Sequence, residues 1–319
     1  MAWIFVALGL VTLLLAGDFL VRGAVNLALR LGISALLVSL TVVAFGTSAP
    51  ELLIVLSAMA DGASGLAMGN VIGSNTANIL LVLGLPALIA GLHTADFFPK
   101  KSFLLMILAT VLFIGLAFCG PFTWWHGGIL LAVLLCILWD QGRSAQRDRQ
   151  AAKTAALVAV EEDGLEGVDP TMPGWKIALY LMFGLVGLPI GARVLVVNAE
   201  LIAKDYGVPE TAIGLTLIAV GTSLPELATT TIAAFRRQGD VALGNVIGSN
   251  MFNLLAIIGI AAFVAPIPVD AAFLRFDLWI MLAASLLLFP MVFFKINFTR
   301  MWGAGLTLLY MAYLFVVLL

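Results

Sequence analysis

Residues 46–51 read GTSAPE and residues 221–226 read GTSLPE. Each stretch places a glutamate directly behind a proline, in the middle of an otherwise apolar run. An ionised side chain in hydrocarbon costs about 3 kcal/mol on insertion scales, so Glu51 and Glu226 are functional candidates that need a partner. Pro50 and Pro225 have no amide proton, and each ring clashes with the carbonyl four residues earlier, that of Gly46 or Gly221. The helix must kink or open there. Opening frees carbonyl oxygens from Ala44 to Thr47 and from Ala219 to Thr222, and irregular backbone at membrane depth is tolerated only inside protein or along a polar cavity. Thr47 and Ser48 precede Glu51 by four and three residues and share its helical face; Thr222, Ser223 and Glu226 repeat this. In the segments that follow, Ser74 and Asn78 are four apart, as are Ser249 and Asn253.

These side chains and carbonyls form an all-oxygen set with no thiolate or imidazole. Such a set suits hard cations, Ca²⁺ or Na⁺, and not Zn²⁺ or Cu⁺. Calcium takes six to eight oxygens at about 2.3–2.6 Å, which two bidentate glutamates, two threonine carbonyls and water can supply. Other readings of the same residues exist: a pair of neutral, hydrogen-bonded glutamic acids, a plain proline kink, and small-residue helix packing for Gly69, Gly73, Gly244 and Gly248.

The elements that hold these residues follow from composition. The 319-residue chain is 62% hydrophobic and 11% charged, with a mean hydropathy of +1.13. A hydrocarbon core of roughly 30 Å needs about 20 apolar residues per helix. Ten such spans are expected: 3–21, 34–59, 66–90, 103–119, 122–139, 175–202, 210–234, 241–264, 277–294 and 299–318. The apolar runs do not alternate with period two, which excludes a β-barrel. The first span has no basic residue ahead of it and no small-residue cleavage site, and reads as a retained helix. With the N-terminus outside, thirteen of the sixteen Lys and Arg fall on or near the cytoplasmic side, leaving Arg193, Lys204 and Arg275 outside. That is the positive-inside asymmetry, so both termini are expected to be extracytoplasmic, in an inner or plasma membrane. Cys119 and Cys136 are expected to be packing residues, and His93 and His126 interfacial ones.

The chain is also a duplication. LTVVAFGTSAPEL at 40–52 aligns with LTLIAVGTSLPEL at 215–227, nine of thirteen residues being identical, at an offset of 175. GNVIGSNTAN at 69–78 aligns with GNVIGSNMFN at 244–253, eight of ten identical, at the same offset. Residues 1–139 are thus a first five-helix repeat, 140–174 a polar cytoplasmic linker, and 175–319 a second repeat. The linker is expected to carry a short helix near 150–160, and its EEDGLE run reads as solvated charge. Five spans per half make the second repeat enter the membrane from the opposite side. Inverted repeats of this kind place substrate and coupling ions at the midplane, between discontinuous helices of both halves.

At these residues the chain resembles the cation/Ca²⁺ exchanger superfamily, most closely the prokaryotic Na⁺/Ca²⁺ exchangers. The likeness rests on the paired GTS-x-PE and GN-x-x-GSN segments and on the duplicated ten-helix layout. It implies Ca²⁺ extrusion driven by Na⁺ entry through four adjoining cation sites, without a cofactor. The family's Ca²⁺ ligands correspond to Glu51 and Glu226 with the carbonyls of Thr47 and Thr222. Its flanking Na⁺ positions correspond to Ala44, Ser48 and Ser74, and to Ala219, Ser223 and Ser249. Its central polar pair corresponds to Asn78 and Asn253, where potassium-dependent members carry aspartate; two asparagines argue against K⁺ co-transport. With two fixed charges, three Na⁺ leave the site at +1 and one Ca²⁺ leaves it neutral.

The expected activity is therefore Ca²⁺ for Na⁺ antiport by alternating access, with Ca²⁺/H⁺ exchange on the same carboxylates as the alternative. The expected partners are Ca²⁺, Na⁺ and the lipid bilayer, with no nucleic acid, in a monomeric chain. An intramembrane enzyme is disfavoured, because neither paired aspartates nor H-E-x-x-H occurs. A channel is disfavoured by the near-identical halves.

Overall fold

A computed structural model describes residues 1–92, 94, 100–147, 169, 171–208 and 219–318. Among these the chain is all-α: α1 Ala2–Leu31, α2 Ala35–Ala60, α3 Ser64–Ala90, α4 Lys100–Phe118, α5 Trp124–Arg147, α6 Gly174–Asp205, α7 219–235, α8 Gly239–Val264, α9 Phe273–Phe294 and α10 Arg300–Leu318. Nine of them are long and apolar enough to cross a bilayer. The exception is α7, whose expected first part, 210–218, lies outside the described residues, as do His93, the helix expected near 150–160 and the EEDGLE run.

The helices start and stop for local reasons. Expected to end at 21, α1 continues to Leu31, because its internal charges are compensated: Arg22 Nε lies 2.9 Å from the Asp18 carboxylate one turn earlier. It stops at Gly32, whose φ of 65° suits glycine, and Ile33 N–H closes the end on the Ala28 carbonyl at 3.0 Å. At the same offset of 175, Gly207 has φ 75°, and Val208 N–H bonds Ala203 O at 3.0 Å. At the other end of the first repeat, α5 runs on through residues 140–147, so the start of the expected linker is helical.

Glycines bring the helices into backbone contact. A Cβ on Gly9 would lie 2.7 Å from Leu195 N, one on Gly191 2.9 Å from Leu13 N, and one on Gly184 2.5 Å from Leu20 Cβ. Rising numbers on α1 meet falling numbers on α6, so the two run antiparallel along a small-residue seam. Two further close crossings join elements of opposite repeats. Gly127 of α5 meets Gly259 of α8, where a Cβ would be 2.6 Å from the Gly259 carbonyl, and Gly84 of α3 meets Leu306 and Thr307 of α10. Main-chain pairs Leu92–Phe298 and Phe122–Ile267 tie loops across the same divide. The two halves are interlocked.

The register of 175 extends past the two motifs. Asn75 Nδ2 reaches Met281 Sδ at 3.7 Å, and its counterpart Asn250 reaches Met106 Sδ at 4.0 Å. Thr110 Oγ1 donates to Met106 O and Ser285 Oγ to Met281 O, each at 2.9 Å. The core is formed largely by α3 and α8, which are buried on almost every face. The cysteines do not pack inside: Cys119 and Cys136 are both exposed on the apolar surface. His126, expected at an interface, is buried, accepts from Thr123 N–H at 3.1 Å and stacks on Trp125.

Candidate cation-binding site

In α2 the helix breaks at a single residue, Ser48, with φ −84° and ψ 3°; in α7 it breaks at Ser223, with φ −86° and ψ 4°. Proline causes the break and also starts the next segment. Pro50 and Pro225 sit in the first turn of Ala49–Ala60 and Leu224–Phe235, where a missing amide costs nothing. Glu51 and Glu226 then fall in that same first turn, next to the positive end of the helix dipole. The break is narrower than the four-carbonyl opening expected from sequence. Ala44 O in particular is occupied, accepting from Ser48 N–H at 3.1 Å and from Thr47 Oγ1 at 3.3 Å. The chain reaches this compromise because a one-residue break leaves fewer buried carbonyls without donors.

The sequence S-x-P-E reads locally as a capping box, with serine and glutamate serving the same helix end. The structure uses it otherwise. Ser48 makes no cap bond; its hydroxyl donates across the halves to Glu226 Oε1 at 3.1 Å. Ser249 Oγ approaches the same oxygen at 3.4 Å. Thr47 Oγ1 donates to Asn245 Oδ1 at 3.1 Å and lies 3.4 Å from Ser249 Oγ, and Ser74 Oγ lies 3.5 Å from Thr222 Oγ1. The two break regions and the polar faces of α3 and α8 therefore meet in one cluster. Glu51 and Glu226 are 1% and 0% exposed, and their carboxylates lie within electrostatic range of each other. No ion pair of either glutamate occurs among the described residues.

Several polar atoms in the cluster have no hydrogen-bond partner from another residue. They are both Glu51 oxygens, Glu226 Oε2, Ser223 Oγ, Asn78 Oδ1, Asn75 Oδ1 and both side-chain polar atoms of Asn253. Each orphaned buried group costs about 1–3 kcal/mol, more when charged. A hard cation held by these oxygens removes that cost, and two carboxylates carry the charge to balance one divalent ion.

Asn78 Nδ2 donates to Asn250 Oδ1 at 3.0 Å, and Asn78 and Asn253 do not bond each other. Both stand at the start of π-helical turns, Asn78–Val82 and Phe252–Ile257, a distortion found often at functional sites. Of Ala219 only the backbone is described. One organising residue escaped the sequence reading. Asn245, fully buried, accepts from Thr47 and donates to Glu226 O at 3.3 Å and Thr230 Oγ1 at 3.2 Å. The available signal was the asparagine in both copies of GN-x-x-GSN, a motif read for its glycines and its serine. Those glycines pack as expected in the second copy: a Cβ on Gly244 would lie 2.7 Å from Leu36 O, and one on Gly248 2.5 Å from Leu40 O.

Known proteins resemble this chain in sequence and in fold. The sequence profile described as "Sodium/calcium exchanger protein" matches residues 1–141 and 176–319. The putative antiporter CaxA of Alkalimonas amylolytica is 38% identical over 297 residues, covering 91% of this chain and 89% of its own. The sodium/calcium exchanger MaX1 of Methanosarcina acetivorans is 31% identical over 342 residues, covering 99% and 98%. Among solved structures, the sodium-calcium exchanger NCX_Mj superposes with a TM-score of 0.80 at 28% identity, over 98% of this chain and 96% of its own. These relatives are membrane transporters and not enzymes. With matches over nearly its full length, this chain belongs to the sodium/calcium exchanger family.

Proposed function

We propose that this antiporter exchanges Ca²⁺ for Na⁺ by alternating access, both ions competing for Glu51 and Glu226. The observation that carries the reading is the cluster of orphaned buried oxygens around those two carboxylates. The names of the relatives MaX1 and NCX_Mj support the choice of ions. Thr47 and Thr222 contribute backbone oxygens, Ser48, Ser74, Ser223 and Ser249 hydroxyls, and Asn78 and Asn253 amide oxygens, with the backbone of Ala44 and Ala219 at the flanks. Because Ala44 O already accepts two hydrogen bonds, its use by Na⁺ requires Ser48 or Thr47 to turn away. Residues 1–139 and 175–319 act as inverted repeats joined by the cytoplasmic linker 140–174, both termini being extracytoplasmic in the cell membrane and the working unit a monomer.

Exchange for H⁺ is the second reading. It is favoured by the burial of two carboxylates in one cluster, since protonation relieves the cost of their charge as a cation does. Radiolabelled calcium flux in proteoliposomes, under Na⁺, H⁺ and K⁺ gradients imposed one at a time, separates the two. Uptake that follows an outward Na⁺ gradient is expected; uptake indifferent to Na⁺ and driven by pH refutes the first reading in favour of the second.

A further inference from the structure

Carried outward from the binding motifs, the 175-residue register pairs Asp18 with Arg193 and Asp61 with Arg236. The positions are equivalent in structure as well as in count. Asp61 and Arg236 each follow the last residue of a broken helix, α2 or α7, and the next residues, Gly62 and Arg237, both have positive φ, 72° and 55°. Both pairs have reversed sign: acid on α1 and base on α6, acid after α2 and base after α7.

On one face of the protein the equivalent positions are joined. Arg236 Nε donates to Asp18 Oδ1 at 2.6 Å, Arg236 Nη2 pairs with the same oxygen, and Arg22 completes the cluster. This contact closes the seam between α1 and the second segment of α7, where a Cβ on Gly17 would lie 3.3 Å from Ala228 O. On the opposite face the counterpart seam, between α6 and the second segment of α2, is all but unmade. There Arg193 and Asp61 are exposed, and neither takes part in an ion pair among the described residues. Loop sidedness explains part of the reversal, because it favours arginine after α7 and disfavours it after α2. It does not explain Asp18 and Arg193, which on the proposed orientation put the acid toward the cytoplasm and the base outside. Pairing explains both.

We propose that Asp18–Arg236 and Arg193–Asp61 are two ion locks of opposite polarity, one for each gate of the exchanger, only one of which is closed in any conformation. An inverted-repeat transporter that seals one face and then the other exchanges the environments of its two halves. Here that exchange moves α6 onto α2, brings the Arg193 guanidinium to Asp61, and releases Arg236 from Asp18. A charge-assisted Arg–carboxylate pair supplies directional closure that an apolar seam lacks.

The inference rests on the alternating-access reading and not on which ions are carried, so two measurements are paired. In a Cys119→Ser, Cys136→Ser background, Asp61→Cys with Arg193→Cys is treated in detergent with a short bis-thiol cross-linker, whose span replaces the arginine side chain, and compared with Asp18→Cys plus Arg236→Cys. Both pairs are expected to form intramolecular cross-links, seen by mass after thiol capping. Failure of either to form overturns the proposal, and this arm needs no transport. In proteoliposomes, Asp61→Arg is expected to slow exchange about tenfold by setting two cations face to face, and Asp61→Arg with Arg193→Asp to restore it to within about twofold. All four positions lie outside the cation cluster, and elution as a single folded species is checked for each. A double variant no faster than the single one, or a single one at wild-type rate, refutes the lock; loss of Na⁺-coupled flux in the parent protein instead refutes the ion assignment.

Discussion

Asn245 and Asn70 occupy equivalent places in the two halves, yet truncating them has very different predicted costs. Asn245→Ala removes one bond from Thr47, one to the Glu226 carbonyl and one to Thr230, all inside a fully buried site. At about 1 kcal/mol per hydrogen bond the loss is about 3 kcal/mol, and more if the Glu226 carbonyl finds no other donor. Val55 stands at the position equivalent to Thr230 and has no hydroxyl to accept, and Asn70 Nδ2 has no partner, so Asn70→Ala costs about 0–1 kcal/mol. For a chain of this size 1 kcal/mol is about 2 °C in Tm, which predicts a fall of about 6 °C for Asn245→Ala and less than about 2 °C for Asn70→Ala. Thermal unfolding of the detergent-solubilised protein, all variants at one scan rate, reads this directly. Calcium affinity falls with the first variant and not with the second, because Thr47 and Glu226 lose the residue that joins them. Equal shifts for the two asparagines, in either direction, would refute the network as the source of stability.

Glu51→Gln and Glu226→Gln each keep side-chain size and remove a charge; both are expected to abolish calcium flux while leaving Tm within about 3 °C of the parent or above it, since a neutral amide is cheaper to bury. Retained flux in either variant removes that carboxylate from the site. Gly248→Val forces side-chain atoms against Leu40 O and Ala44 Cβ of α2, and is expected to cost about 1–3 kcal/mol as an overpacking change and to suppress exchange, read as Tm together with flux. Asn253→Asp puts a third carboxyl group where both amide atoms lack a partner; exchange is expected to persist with a changed pH profile or ion preference, and an unchanged profile would mean that the residue only packs.

Chemistry was legible in this sequence where both copies keep the same letters, and structure was hidden where they keep the same position with different letters. GTS-x-PE and GN-x-x-GSN announce themselves by identity, and they locate both glutamates and most of the cluster. The Thr110 and Ser285 hydroxyls under the two methionines and the reversed pair Asp18 and Arg193 follow the same register and are invisible to identity. Two local rules misled for physical reasons. The first span was expected to end at 21, but Asp18 and Arg22, one turn apart, compensate each other, and α1 continues nine residues beyond Arg22 to Leu31. Proline at 50 looked like a wide opening, but the first turn of a new helix absorbs it with one residue out of line.

The bonding around the two glutamates differs more than their sequences do. Ser48 reaches Glu226, whereas Ser223 has no partner and leaves Glu51 with none either. The residues at these four positions are the same in both copies, so composition at the motif cannot be what distinguishes them. The difference must come from how the surrounding helices stand, and the structure gives its sense: α2 is seated against α8 through Ser39, whose hydroxyl donates to Val241 O at 2.6 Å, and through Gly244 and Gly248. A site whose two acids are chemically alike but differently engaged is biased by packing at a distance from it. On the proposed function, shifting that packing is expected to change which carboxylate is free to accept a cation, with no change in the residues around it.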